Sequence, residues 1–497
     1  MESCVFSYYI SESDIEIKEL KHKHSFGKFT MLTDSRTPSS HASDDNRECT
    51  VFGYAVNVFT RESSRLADKI ISCCSDISEV IEFEKSLGGK YLILYRCGEQ
   101  YYFLGDATYS IPVFYSINGE FACTSNLHYL VDQYGYLPDQ KFQSIRESGD
   151  ISQAMPFDVT QYSEVKQLLP NHYLSVNGRE AIRFINSPQS QAALTVDEAT
   201  ELAAPLIEAI CEFYTRKFII RCPITSGRDS RVVLAFLAAQ DEDIHCYTIR
   251  HPEHHEDNQD IVIPKILCAE NHIPYEQIKD VTVSAALKRK MDHLLGENHY
   301  SPRTLRIAQT IHEHYGSEAI INGDIIGQVG KCSLHRDIPL CFATANYFRC
   351  KLHNYSKESK RQLKLWLEEI KNSGECVNAF DLFSVENRMG RWAAQENLIY
   401  NSIGQIYLNV FNSRSIIYLW TAVSRKERKR SSIHVGLIKN KRPELLKIPF
   451  ETDESMLIRL SKVNGLTYLL SSYAKYYMER MKFKRGKRYE KVDHYSR

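Results

Sequence analysis

The stretch KFIIRCPITSGRDSRVVLAFLAAQ, Lys217 to Gln240, decides the reading of this chain. Phe218 to Ile224 is a mostly apolar, β-favouring run, and Val232, Val233, Phe236 and Leu237 fall at helical spacing. The expected unit is strand, tight loop, helix. The loop Thr225-Ser226-Gly227-Arg228-Asp229-Ser230 is built of small and hydroxyl residues opening a helix. Such a loop offers N–H groups and the positive end of the helix dipole to an anion. Asp229 repels a phosphate, so its expected use is to hold a metal ion that the phosphate shares. A plain strand–turn–helix with a capping Ser or Asp remains the structural alternative.

The composition sets limits on the rest. At 497 residues the length predicts more than one domain. Hydrophobic residues make up 43% and charged residues 25%, a globular balance. The formal net charge of +0 argues against a chain-wide field for nucleic acid or membrane. The start lacks a basic segment followed by an apolar core, and no apolar run is long enough to span a bilayer, so a cytoplasmic protein is expected. The 14 Cys include no C-x-x-C pair, which predicts reduced, mostly buried thiols and no zinc site.

The loop resembles the Ser-Gly-Gly-X-Asp-Ser pyrophosphate loop of the N-type ATP pyrophosphatases. Thr225 stands at the first Ser, keeping the hydroxyl, and Ser226 stands at the first Gly. Gly227, Asp229 and Ser230 match directly. Ser226 therefore puts a Cβ where the family's Gly is free to take a positive φ.

Upstream, Val51 to Phe59 reads as a strand, Asp34 to Glu48 as a polar surface loop, and Ile77 to Leu87 as a helix. Lys90 to Tyr95 and Tyr101 to Asp106 read as paired strands. The order Leu87-Gly88-Gly89-Lys90-Tyr91, Gly105-Asp106, Ile111-Pro112-Val113-Phe114-Tyr115, Phe121-Ala122-Cys123-Thr124-Ser125 and Leu169-Pro170-Asn171-His172-Tyr173-Leu174 resembles the glutaminase domain of class II amidotransferases, as in asparagine synthetase. That family's nucleophile is a Cys freed by removal of Met, whose α-amine is the base. Here Glu2 holds that place and Cys4 follows. The resemblance thus implies a domain without glutaminase chemistry, similar to the arrangement in β-lactam synthetase and lasso-peptide cyclases.

Ile185 to Leu194 reads as a polar linker, and Thr195-Val196-Asp197-Glu198 as a capping box opening a helix that Pro205 should kink. Strand patterns at Ile244–Ile249, Ile273–Ile278 and Glu318–Asp324 alternate with helical ones, which predicts a parallel sheet with its ligand mouth at the strands' carboxyl ends. The fold expectation is α/β in two domains: residues 1–185 an Ntn-like α+β sandwich, and 195–497 a Rossmann-like parallel α/β domain with a helical extension.

The asparagine-synthetase resemblance implies site residues for ATP and Mg²⁺. Ile224, Thr225, Ser226, Gly227, Asp229 and Ser230 would cradle the phosphates. Ile249 would lie beside adenine, and Asn258-x-Asp260 stands in the following acidic loop. Asn322-Gly323-Asp324 stands at the start of the family's "S-G-E-G-A-D-E" loop. Asp324 falls at its Glu and, if the loop is shortened, also at its metal-binding Asp, so Asp324 carries a catalytic and a metal expectation beside Asp229. An Asn-Gly turn ending a strand is the equal structural alternative.

Glu386 is the acid/base candidate, set against a buried charge paired with Arg388 or Arg391. Lys447 and Lys462 are candidates for the family's charge-neutralising Lys. From Phe380 to Phe450 the chain reads as helical. The loop Arg250 to Asp257, with three His, reads as solvated or substrate-facing rather than as a zinc site. The runs Arg425–Arg430 and Arg480–Arg488 read as solvated basic faces.

The resemblance implies an AMP-forming amide ligase acting on a small carboxylic acid (a peptide or sugar acid among them) and an amine. Nucleic acid and membrane are not expected as partners, and a homodimer is allowed for. The alternatives are an RNA- or nucleotide-modifying ATP pyrophosphatase and a non-catalytic scaffold.

Overall fold

The computed structural model describes residues 4–140, 155–184, 193–240, 244–251, 255–295, 300–331, 341, 343–352, 354, 356–372, 378–450, 474 and 477–478. The linker 185–192, part of the His-rich loop, Lys462 and the basic run 480–488 lie outside the described residues.

The N-terminal part supplies β1 (Tyr8–Ser11), β2 (His22–Phe26), β3 (Phe29–Thr33), β4 (Ser39–Ser43), β5 (Arg47–Asn57), β6 (Leu87–Cys97), β7 (Gln100–Gly105), β8 (Phe114–Ser116), β9 (Ala122–Thr124), β10 (Val165–Gln167), β11 (His172–Ser175) and β12 (Glu180–Arg183). They form two six-stranded sheets, ordered β10-β8-β9-β1-β3-β2 and β12-β11-β7-β6-β5-β4. All their pairings are antiparallel.

The alternation of side chains along each strand builds the layers. Leu92 and Leu94 of β6 join Tyr8, Ile10, Phe29 and Phe52 in one core. Tyr91, Ile93 and Tyr95 point the other way, into a core under the helices Leu66–Cys73 and Ile77–Glu84. The stretch Tyr91–Tyr95 of β6 therefore reads as an unbroken apolar run because both its faces are covered. The segment expected as a loop at Asp34 to Glu48 instead contains β4. Its polar side chains alternate between exposed and half-buried, and its strand form comes from antiparallel pairing with β5 at the sheet edge.

The second part begins with the expected capping box. Thr195 Oγ1 accepts from the Glu198 N–H at 3.2 Å, and Glu198 accepts from the Thr195 N–H at 2.8 Å. The helix Val196–Thr215 that follows holds Pro205 within it. Then come β13 (Ile220–Pro223), β14 (His245–Arg250), β15 (Tyr275–Lys279), β16 (Ala319–Asn322) and β17 (Tyr407–Asn409). They form a five-stranded sheet, β15-β14-β13-β16-β17, with every pair parallel.

The order runs outward from β13 through β14 to β15, then restarts on the other side of β13 with β16. The chain thus has a topological switch point between β13 and β16, where open α/β sheets hold their ligands. Helices Asp229–Leu237, Gln259–Glu270, Ala285–Leu295 and Pro302–Tyr315 supply the crossovers. The region expected as wholly helical departs at β17, which is too short to announce itself and is made by pairing with β16. Ahead of it one continuous helix runs from Ala379 to Ser402, with wide π-type turns over Ser384–Ala393.

Buried polar contacts join the antiparallel and parallel parts. Gly89 N–H donates to the Asn412 carbonyl at 2.9 Å, and Asn412 Nδ2 donates back to the Gly89 carbonyl at 2.6 Å. Arg414 donates from Nε to Glu84 at 2.7 Å and from a terminal nitrogen to Asn171 at 2.7 Å. Lys90 Nζ donates to Asn397 at 2.8 Å, to Asn401 at 3.0 Å and to the Tyr407 carbonyl at 3.1 Å. Gly390 passes so close to Pro170 that a Cβ there would stand 2.3 Å from the proline ring.

Candidate functional site

The strand–loop–helix at Ile220–Leu237 forms as its pattern predicts. The loop is tied to β14 behind it: Ile224 N–H donates to the Tyr247 carbonyl at 2.9 Å and Thr248 Oγ1 donates to the Ile224 carbonyl at 2.7 Å. Neither Ser226 nor Gly227 takes a positive φ, so the serine in place of glycine is accommodated without backbone strain. Ile249 is half-buried one strand away.

The donors of the loop's first three residues are engaged. Ser226 gives its N–H (2.9 Å) and hydroxyl (2.6 Å) to one oxygen of Asp260. Thr225 N–H donates to Ser230 Oγ at 3.1 Å, and Gly227 N–H donates to Thr225 Oγ1 at 3.2 Å. The carboxylate of Asp260 thus sits as an internal anion on the first turn of the cradle. Asp260 is placed there by Asn258, which caps its helix by accepting from the Asp260 N–H at 2.8 Å.

The second expected segment arrives across the switch point. Asn322 ends β16, donating to the Leu408 carbonyl at 2.9 Å and accepting from Asn409 at 2.7 Å and from the Asp324 N–H at 3.1 Å. Gly323 and Gly327 let this segment press on the loop. A Cβ on Gly323 would stand 3.1 Å from the Asp229 carbonyl oxygen, and one on Gly327 2.5 Å from Asp229 Oδ2. Asp229 and Asp324, far apart in sequence, are thereby brought within electrostatic reach. Burial, then the charge of Asp229, pushes Asp324 up to about 6, against the pull of a 3.4 Å hydrogen bond from Tyr407. Burial opposes the charge on Asp229, but the hydrogen bond from His434, with Lys331 and Arg228 nearby, holds it below the usual carboxylate range.

Two side chains of this crevice escaped the sequence reading. His434 Nε2 lies 2.8 Å from Asp229 Oδ1, 205 positions along the chain. Glu396, on the helix Ala394–Ser402, accepts from Thr304 Oγ1 at 2.9 Å and is pushed up to about 8 by burial and then by Asp324. Nothing local in the sequence marks either residue; both are defined by partners on remote elements.

Other expected residues lie elsewhere. Glu386 is fully buried and its oxygens are taken by Arg183 (2.6 and 3.1 Å), Asn171 (3.0 Å) and Trp366 (2.8 Å), none of them part of the crevice. The structure pairs it with Arg183, not with Arg388 or Arg391, and gives it the setting of a junction between the two parts of the chain. Lys447 is exposed just after the turn Pro443–Leu446. His251 is not solvated: it is buried, with Nδ1 2.8 Å from Asp280. Arg428 departs from the basic-face reading, since it is buried on Asp381 at 2.8 Å. The Cys4 thiol is buried, and burial pushes its pKa up.

A Mg²⁺ ion shared with phosphates needs only one or two carboxylates from the protein. Asp229, partly open, and Asp324, which it repels, fit that requirement. Among the described residues no group of three or more His, Cys, Asp or Glu is placed to hold a metal by itself. No helix among the described residues is long and apolar enough to cross a membrane.

No family model matches the chain, and no curated protein matches it. One solved structure similar to it is glutamine phosphoribosylpyrophosphate (PRPP) amidotransferase from B. subtilis complexed with ADP and GMP. The two share 11% sequence identity over 67% of this chain and 71% of that chain, with a TM-score of 0.22.

Proposed function

We propose that the chain is an ATP-dependent, AMP-forming carbon–nitrogen ligase with an N-terminal amidotransferase-like domain (1–185) that lacks glutaminase chemistry and an ATP-pyrophosphatase domain (195–497). One observation carries the reading. At the switch point of a parallel sheet, a hydroxyl- and glycine-containing loop meets Gly323 and Gly327, and two carboxylates from the two segments lie within electrostatic reach of each other.

In this reading Asp229 and Asp324 hold Mg²⁺, which when bound neutralises phosphate charge. The first-turn N–H groups of the helix at Asp229 have no intrahelical acceptor and are available to the β,γ-phosphates. A carboxylate oxygen of the acid attacks the α-phosphorus, the bond to the bridging oxygen breaks, and pyrophosphate leaves. The amine then attacks the acyl carbon, the bond to AMP breaks, and the amine sheds a proton. Asp229→Ala is expected to abolish ATP/pyrophosphate exchange while leaving the circular dichroism spectrum intact. Exchange at the wild-type rate would remove Asp229 from the mechanism.

A second reading, a non-catalytic scaffold, is favoured by the filled donors of Thr225, Ser226 and Gly227. Calorimetry with ATP and Mg²⁺ separates the two: heat of binding supports the ligase, and none supports the scaffold.

A further inference from the structure

His434 is a side chain in the crevice for which the proposed reaction has no stated use. It lies on the helix Ser432–Lys441 and is completely buried. Its Nε2 meets Asp229 Oδ1 at 2.8 Å, while Nδ1 has no hydrogen-bond partner among the described residues. A proton on Nδ1 would be a buried donor left unmet, which is costly. Nε2 is therefore the nitrogen that donates, its N–H meeting a carboxylate oxygen of Asp229 that can only accept.

The other oxygen, Oδ2, sits where only a glycine at 327 leaves room. The carboxylate is gripped on two sides, yet its side chain keeps 42% of its exposure. An imidazole N–H on one carboxylate oxygen is the kind of contact that orients a metal ligand from behind.

We propose that His434 is a positioning residue that fixes the Asp229 carboxylate in the orientation that takes up a divalent cation shared with a nucleotide phosphate. The inference rests on the reading of Asp229 as a ligand of Mg²⁺.

The test uses the full chain and calorimetric titration of ATP at a series of Mg²⁺ concentrations. His434→Leu keeps bulk and loses the donor; His434→Gln places an amide N–H at about the reach of Nε2. The Leu variant is expected to raise the Mg²⁺ needed for half-maximal ATP binding by about tenfold to a hundredfold. The Gln variant should restore the wild-type requirement, with melting temperatures alike in all three. If the Leu variant does not fold, His434→Asn, whose amide is too short to reach, should show the same loss. A Leu or Asn variant with the wild-type Mg²⁺ requirement overturns the proposal, as does a Gln variant as defective as Leu. If the wild-type chain takes up no ATP at any Mg²⁺ concentration, the ligase reading itself fails and this inference falls with it.

Discussion

Lys90 donates from Nζ to the carbonyl oxygen of Tyr407 at 3.1 Å, so a buried lysine on the antiparallel sandwich holds the last strand of the parallel sheet. The side chain of Tyr407 in turn reaches Asp324. Burial lowers Lys90 to about 7, a shift that Asp106 only partly opposes. In the unfolded chain a lysine titrates at about 10.4. Between those values the unfolded state holds the extra proton, so this site adds stability as pH rises and loses it as pH falls through about 7. The unfolding free energy of the wild type minus that of Lys90→Met should therefore grow between pH 7 and 10, by at most about 1.4 kcal/mol per pH unit. Urea melts across that range give the difference. A flat difference would show that Lys90 has no such shift.

Glu84 and Arg414 form a second buried link, at 2.7 Å with both side chains almost wholly enclosed. Removing one partner strands the other's charge, which costs about 3–5 kcal/mol. Arg414→Met should lose stability of that order, and Glu84→Leu combined with Arg414→Met should recover much of it. Urea denaturation of both singles and the double measures the coupling. Additive losses would mean the pair is not a unit.

Asp260 competes in the structure for the Ser226 N–H that a pyrophosphate would accept. Asp260→Asn removes the negative charge and keeps the shape. Binding of inorganic pyrophosphate should tighten by about tenfold, equivalent to about 1.4 kcal/mol. Weaker binding in the variant would make Asp260 a support for the loop rather than a rival of the ligand.

Gly327→Ala should separate binding from stability. Its new methyl would meet Asp229 Oδ2 at 2.5 Å and push the carboxylate aside. Within helical backbone the same change is otherwise favourable by up to about 1 kcal/mol. Mg²⁺-dependent ATP binding should fall by about tenfold, or about 1.4 kcal/mol, while the melting temperature holds or rises. Calorimetry and thermal melts on one preparation report both quantities.

The parts of this fold legible in the sequence are those whose cause is local. The Thr195–Glu198 capping box, the apolar periodicity of the helix at Asp229 and the alternation of strands with helices from Lys217 onward state their structure within a few residues. What lies beyond reach is defined by distant partners. Strand β4 is polar and β17 is three residues long; each becomes a strand because a neighbour offers its edge. Glu386 is an acid/base candidate only through the asparagine-synthetase resemblance, and its partners in the fold, Arg183 and Trp366, come from remote elements. His434 and Glu396 gave no signal, since a histidine or glutamate on a helix is ordinary until Asp229 or Asp324 is set beside it.

The reciprocal hydrogen bonds between Gly89 and Asn412 bear on whether the two portions can be exchanged for others. Either portion produced alone would leave these main-chain groups, and Glu84 or Arg414, to water instead of to each other. Joining the front portion to a foreign partner would bury the same groups without an acceptor or a counter-charge. The seam is thus specific to its own two halves, and neither half can be exchanged without replacing the groups that answer it from across the seam.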